Sequence, residues 1–192
     1  MTEAPITPVI LRFGPYRLDG VRDSDIDAVA AALTDPDVAQ WNPGPSRPGT
    51  PAHERARLWV VERATWTADH ASWGIRDIDD VLIGQVSIHQ IDAQMHAADI
   101  GYWMTPAGRG RGIATAAVDT ATRFGFEVLG LARLQLFHAL DNPASCRVAI
   151  KCGYLVEGTT RQSFVYGDGL RHDEHIHARL LTDPPPGVAL PS

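Results

Sequence analysis

Ile100 to Val128, IGYWMTPAGRGRGIATAAVDTATRFGFEV, decides how the rest of this chain is read. Tyr102 and Trp103 sit in a short run that reads as a strand, and the run enters a glycine-rich turn, Gly108-Arg109-Gly110-Arg111-Gly112. The turn opens directly into a helix. Apolar residues at Ile113, Ala117, Val118, Ala121, Phe124, Gly125 and Val128 recur as one face of a 3.6-residue period, while Thr115, Asp119, Thr122, Arg123 and Glu127 fall opposite.

A glycine turn feeding a helix start is chemistry for an anion. The first helical N–H groups have no partner within the helix, the helix dipole is positive there, and glycine lets the backbone approach a ligand. Arg109 and Arg111 are expected to add fork-shaped, charge-assisted contacts suited to phosphate oxygens. No third glycine completes a dinucleotide G-x-G-x-x-G, and no Gly-Lys-Ser/Thr follows to make a P-loop. The plain alternative is an ordinary strand-to-helix turn with solvated arginines.

At 192 residues one domain is expected, large enough for a core that needs no staples. A hydrophobic share of 44% with mean hydropathy −0.13 fits a soluble globular chain. No apolar run is long enough for a bilayer, and the N-terminus lacks a basic-then-apolar leader, so no membrane partner and a cytoplasmic location are expected. The net charge of −6 argues against nucleic acid and leaves a cationic amine unopposed. Cys146 and Cys152 lie six apart in one expected helix, roughly 9 Å along its axis and too far for a disulfide. Neither a Cys-x-x-Cys nor a zinc-type spacing is present.

In chain order, residues 1–15 carry Pro5, Pro8 and Pro15 and read as a loose arm. Tyr16–Arg22 reads as a strand, and a helix capped by Asp23-Ser24-Asp25 follows through Ile26, Val29, Ala30 and Leu33, ended or bent by Pro36. Trp41 to Gly49, with three prolines and two glycines, reads as an irregular loop. Thr50 and Pro51 then start a helix to about Asp69. Strands are expected at Ser72–Asp77, Val81–His89 and Ala97–Met104, a helix at Ile113–Leu129, and a strand at Arg133–Ala139. Asn142-Pro143 opens a short helix ended by Gly153, and Leu155–Val165 and Leu170–Leu181 form a hairpin about Gly167-Asp168-Gly169. The domain thus spans 16–181, followed by a proline-rich tail, 182–192, read as disordered. The order implies an α+β fold, a mixed and mostly antiparallel sheet with helices on both faces.

Arg109-Gly110-Arg111-Gly112-Ile113-Ala114 resembles the Arg/Gln-x-x-Gly-x-Gly/Ala signature of the GNAT superfamily of acyl-CoA-dependent N-acetyltransferases. Ile100-Gly101-Tyr102-Trp103-Met104 is similar to the preceding strand in its ribosomal-protein-alanine (Rim-like) branch. Asn142-x-x-Ser145 with Lys151-x-Gly153-Tyr154 resembles the family's second motif, and the likeness runs from about Tyr16 to Leu181. The resemblance implies a single-domain fold whose strands ending at Met104 and Ala139 splay into a central V that admits a pantetheine arm. It implies acetyl-CoA (coenzyme A) as co-substrate and no metal. The diphosphate would rest on Arg109 to Ala114, with Ile113 and Ala114 starting the helix, and the pantetheine would pair with backbone at Trp103 and Met104 and with Asn142. Direct attack by a primary amine, a protein N-terminus or a small molecule, would follow in a ternary complex. A homodimer is common for this type.

Such a transfer needs a base for the amine, a donor for the oxyanion and a proton for the departing thiolate. The oxyanion donor expected from the resemblance is a backbone N–H near Met104. Asp99 is the first candidate base, directly or through water, because the resemblance places a carboxylate just before Gly101-Tyr102. Glu54 and Glu174 are weaker candidates, and each of these carboxylates has a plain reading as a solvated surface group. Many relatives carry a tyrosine proton donor four residues before the motif glycine; here that position is Ala149, which leaves Ser145, a residue equally at home in a helix's first turn. Trp41 is the candidate acceptor contact from the loop between the first helices, against a plain reading in which it folds onto the core. In His172-Asp173-Glu174-His175-Ile176-His177 a two-histidine site is geometrically available at His175 and His177, but a half-exposed polar strand produces the same spacing and no metal is expected. Cys146 has no histidine near it in sequence and is not read as a nucleophile. The rivals are a non-catalytic acyl-CoA-binding sensor or assembly module and an RNA binder using the Arg-Gly turn; the acidic charge disfavours the second.

Overall fold

The structure is a computed structural model that describes residues 8–43 and 49–191. Its elements run β1 Leu11–Phe13, β2 Tyr16–Gly20, α1 Ile26–Thr34, α2 Pro36–Trp41, α3 Ala52–Ala64, β3 His70–Arg76, β4 Leu82–Asp92, β5 Ala97–Met104, α4 Ile113–Glu127, β6 Arg133–Ala139, α5 Pro143–Lys151, β7 Leu155–Val165 and β8 Arg171–Leu180. The eight strands make one open mixed sheet in the order β1-β2-β3-β4-β5-β6-β8-β7, and every pairing is antiparallel except β5 with β6. None of the helices among the described residues is long and apolar enough to cross a membrane.

Neighbouring residues on a strand point to opposite faces, so the sheet's two coverings can be read along β5. Ile100 and Met104 pack with Ile113, Ala117, Phe124 and Ala149 in the larger core under α4 and α5. Trp103 packs instead with Val29, Leu33, Trp59 and Val60 under α1 and α3, its ring 5.8 Å from that of Trp59. Helices on both faces are therefore observed. The start of α1 is pinned from beneath, because Arg76 donates to Asp25 at 2.7 Å with both side chains buried.

Several local readings change. The expected arm holds β1, which folds back on β2 through Gly14 at φ +54; residues 1–7 lie outside the described residues. Pro36 opens a helix rather than only ending one: Asp35 accepts the Val38 N–H at 3.0 Å and proline occupies the first helical position, where its missing N–H costs nothing. Trp41 consequently closes α2 rather than starting the loop, of which residues 44–48 are outside the described residues. The next helix is shorter than expected, from Ala52 to Ala64, with Pro51 at its cap position. It stops because Trp66 turns inward, donates to the Ser72 carbonyl at 2.8 Å and packs edge-on to Trp73. Residues 182–191 have no helix or strand; Val188 packs on the larger core, and the Pro191 carbonyl oxygen lies 2.5 Å from where a Cβ on Gly14 would sit.

Candidate functional site

β5 and β6 run parallel for three residue pairs, Ala97 with Arg133, Ala98 with Leu134 and Asp99 with Gln135. At the last pair Gln135 donates to Asp99 at 3.3 Å. Beyond it the strands diverge, leaving the backbone of Ile100 to Met104 without a strand partner on that side among the described residues. The gap is a cleft of about 550 Å³ lined by Ile100–Met104 on one wall, Leu136–His138 on the other, and α5 and the start of α4 at its ends.

The turn into α4 is built for approach by a ligand. Gly110 and Gly112 stand at φ +74 and +75, a conformation that costs other L-residues roughly 1–2 kcal/mol, and nothing lies within 4 Å of a Cβ at either. Among the described residues the amides from Gly110 to Thr115 donate to no protein acceptor; the first helical bond runs from Ala116 N–H to the Gly112 carbonyl at 3.1 Å. The result is a concave set of N–H groups at the positive end of a 15-residue helix.

Its arginines also reach protein groups. The Arg109 guanidinium pairs with Asp35, with Asp37 at 2.8 Å and with the Met104 carbonyl at 3.0 and 3.2 Å. Arg111 donates to the Tyr16 hydroxyl at 2.6 Å and lies over its ring. Both arginines thus reach protein acceptors and tie the turn to α2 and β2, Arg111 through one hydrogen bond from an exposed guanidinium. Other cations line the cleft: Arg147 and Lys151, one turn apart on α5, make no ion pair among the described residues. In the sequence Lys151 belongs to the second motif without an evident role, and the i, i+4 spacing from Arg147 is the one signal that joins the two.

At the inner end, Asn142 accepts the Ser145 N–H at 3.1 Å and so caps α5. Ser145 is buried, and its Oγ receives the Tyr102 hydroxyl at 3.3 Å. Burial pushes the Tyr102 phenol up to about 12, so it stays protonated near neutrality. Tyr102 lies within Ile100–Met104, yet only the assembled fold brings that stretch of β5 against Ser145 on α5.

The outer wall is aromatic with acidic edges. Trp41 meets Tyr166 edge-on at 5.5 Å and His172 at 6.3 Å. Tyr166 donates to Glu174 at 2.8 Å and Ser163 donates to its other oxygen at 2.7 Å, so Glu174 is buried and satisfied. Asp37 and Asp141 line the cleft with exposed carboxylates. The His172 ring bridges Asp168 at 2.8 Å and Asp141 at 3.2 Å, and these carboxylates, Asp168 foremost, raise its pKa.

Four sequence candidates lie elsewhere. Asp99 is not on the cleft wall; it is paired in register with His89, holds Gln135 at the apex of the V, and its carboxyl is raised by burial. Glu54 is exposed on α3. His175 and His177 point under α5, where His138 and Cys146 join them.

Residues 16–155 match the family described as "Acetyltransferase (GNAT) domain". The chain is 30% identical over 103 residues to the ribosomal-protein-serine acetyltransferase of Escherichia coli K12, covering 54% of this chain and 57% of that one. To the spermidine N(1)-acetyltransferase of Vibrio cholerae it is 27% identical over 90 residues, 47% and 52% of the two chains. It spans roughly half to three-fifths of the length of the curated relatives it matches. A solved structure of Mycobacterium smegmatis RimJ in complex with CoA-disulfide superposes with a TM-score of 0.74 over 90% of this chain and 86% of that one, at 23% identity, a likeness of fold. With the family match covering most of its length, this chain belongs to the GNAT acetyltransferase family.

Proposed function

We propose that this protein is an acetyl-CoA-dependent N-acetyltransferase acting on a cationic primary amine. The observation that carries the reading is the row of amides at the start of α4, unpaired among the described residues and opening onto a cleft that ends at Ser145 and Tyr102. The diphosphate rests on the amides of Gly110 to Ala114, Arg147 and Lys151 supply nearby positive charge, and the pantetheine follows the unpartnered edge of β5 past Trp103. Arg109 holds the turn in shape instead of touching phosphate, and its grip on the Met104 carbonyl leaves Ile100–Trp103 as the open edge.

The amine nitrogen attacks the thioester carbonyl, the C–S bond breaks, and one proton passes overall from the amine to the sulfur. By donating to Ser145 Oγ, Tyr102 leaves the serine O–H free to point at the leaving sulfur. Asp37 and Asp141 attract the ammonium form, and water at this open mouth carries its proton away. Asp99, off the cleft, acts by holding the V at its apex or, as a base, through intervening water. The relatives' names, a ribosomal-protein acetyltransferase and a spermidine acetyltransferase, set the acceptor panel: ribosomal N-terminal peptides and polyamines.

The test is release of CoA thiol on adding acetyl-CoA with that panel. Turnover with at least one cationic amine supports the reading; saturable CoA binding without thiol release across the panel points to the sensor. The homodimer stays a proposal, supported by Leu155, Val156, Phe164 and Val165 exposed along the edge strand β7, and is checked by light scattering of the eluted protein.

A further inference from the structure

The acyl transfer makes no use of four side chains that converge beneath α5. His138 on β6 stands opposite His175 on β8, and His177 stands opposite Leu136, so the three imidazoles share one sheet face. Cys146 enters from α5 above them, and one donor atom from each of the four lies within 4.8 Å of every other. The spacing of β6 and β8 in sequence concealed the cluster, because His138 is far from the other two in the chain.

The hydrogen bonds around two of these rings decide what they can do. His138 Nδ1 lies 2.8 Å from the Ala139 carbonyl, and His177 Nδ1 lies 3.3 Å from the Tyr154 carbonyl. A carbonyl only accepts, so each Nδ1 carries the proton. In the neutral rings each Nε2 then presents a lone pair, and these two atoms are 3.0 Å apart. Two lone pairs at that distance repel unless a positive centre sits between them. A single proton would satisfy the pair alone, yet the site offers more. Cys146 Sγ lies 4.0 Å from His177 Nε2, and His175 brings a third ring whose Nδ1 is buried with no hydrogen-bond partner among the described residues. Bonds of about 2.0–2.1 Å to nitrogen and 2.3 Å to sulfur place tetrahedral donors roughly 3.3–3.7 Å apart, which these distances bracket. The Nδ1–H contacts to carbonyls are the outer support that metal-bound histidines use to fix tautomer and ring orientation.

We propose that His138, Cys146, His175 and His177 form a binding site for a borderline divalent metal, zinc foremost. Three imidazoles and one thiolate suit that class rather than calcium or magnesium, which take oxygen ligands. Binding releases the thiol proton, and the four-ligand set is closed, so the metal clamps α5 onto β6 and β8 instead of supplying chemistry. Because α5 carries Asn142 and Ser145, the clamp holds one wall of the cleft.

The experiment is cobalt titration of untagged, chelator-treated full-length protein. The expected result is one Co²⁺ per chain, with visible bands of tetrahedral cobalt, a near-ultraviolet thiolate-to-cobalt band, and displacement of both by stoichiometric zinc. Cys146→Ser removes the thiolate band and weakens zinc at least tenfold; His175→Asn weakens zinc similarly. Both positions are only partly buried, and circular dichroism checks that each variant is folded, whereas fully buried His177 is avoided. Absence of tetrahedral cobalt in the wild type, or a thiolate band that survives Cys146→Ser, overturns the site. Neither readout depends on acetyl transfer.

Discussion

Tyr102 and Ser145 illustrate how two ordinary side chains acquire a role through one contact, the phenol's hydrogen bond to the serine oxygen. Tyr102→Phe and Ser145→Ala are expected to lower kcat by about tenfold to a thousandfold, the usual range for a lost proton-transfer partner or somewhat below it, with CoA affinity little changed. Stopped thiol-release assays beside calorimetric CoA titration separate the two effects; unchanged kcat in both variants removes the pair from the mechanism. Since burial pushes the phenol up to about 12, no loss of rate from its ionisation is expected below about pH 10. His172 behaves differently. Its pKa is raised by Asp168 and Asp141, with Trp41 and Tyr166 completing its surroundings. The stabilisation it contributes is complete below its unfolded value, about 6.5, and is lost as pH rises through the higher folded value. The same deprotonation makes the cleft mouth more negative. KM for a cationic amine should therefore fall across that interval, and His172→Gln should flatten the change; a KM profile identical in the two proteins contradicts the role assigned to this mouth. The carbonyls beside His138 and His177 are a residue-scale feature that no sequence pattern displays, because they are those of Ala139 at the end of β6 and of Tyr154 between α5 and β7.

At the scale of elements, the turn into α4 and the hairpin β7–β8 carry separate duties. Gly112→Val places a β-branched side chain at φ +75 over the open amides, and CoA should bind at least tenfold more weakly by calorimetry. Arg109→Ala removes the ties to Asp35, Asp37 and the Met104 carbonyl, and should weaken CoA through loss of loop order rather than loss of a phosphate contact. That distinction is checked by the salt dependence of CoA binding, whose slope should be close to wild type. Asp25→Ala removes the nearest carboxylate of the buried Arg76 guanidinium, which keeps Asp19 and Asp80 at 3.9 and 3.8 Å, and should cost about 1–3 kcal/mol in denaturant unfolding; a loss well under 1 kcal/mol would show that these neighbours or water replace the pair. Gly167 donates to the Gln40 carbonyl, and a Cβ there would stand 2.1 Å from the Ala39 carbonyl, so the hairpin turn docks on the end of α2 only as glycine. These elements also show what sequence can convey. The strand-turn-helix at Gly108–Ile113, the Asn142 cap and the left-handed Gly153 follow from local residue chemistry and stand where the pattern puts them. Pro36 was ambiguous for a local reason: a proline that ends one helix equally suits the first turn of the next, and the Asp35 cap decided it.

Across the whole molecule, the sheet order and the V between β5 and β6 are products of pairing between distant strands, and the periodicity of single strands carries no trace of where two of them part. The family resemblance supplied that expectation, whereas the pairing of both arginines with protein, the displacement of Asp99 from the cleft and the gathering of His138 with His175 and His177 required the assembled fold. What joins the parts is charge and polarity along one path: unpaired amides at the α4 mouth, a bare strand edge, the Tyr102–Ser145 pair and an acidic, aromatic exit. The measurement that tests this most directly is an amide-resolved NMR titration of the protein with CoA and, in parallel, with S-acetylpantetheine, which lacks the diphosphate. CoA is expected to bind at least a hundredfold more tightly and to shift the amides of Gly110, Arg111, Gly112 and Ile113. Equal affinity for the two ligands, or CoA binding that leaves those four amides unmoved, would contradict it.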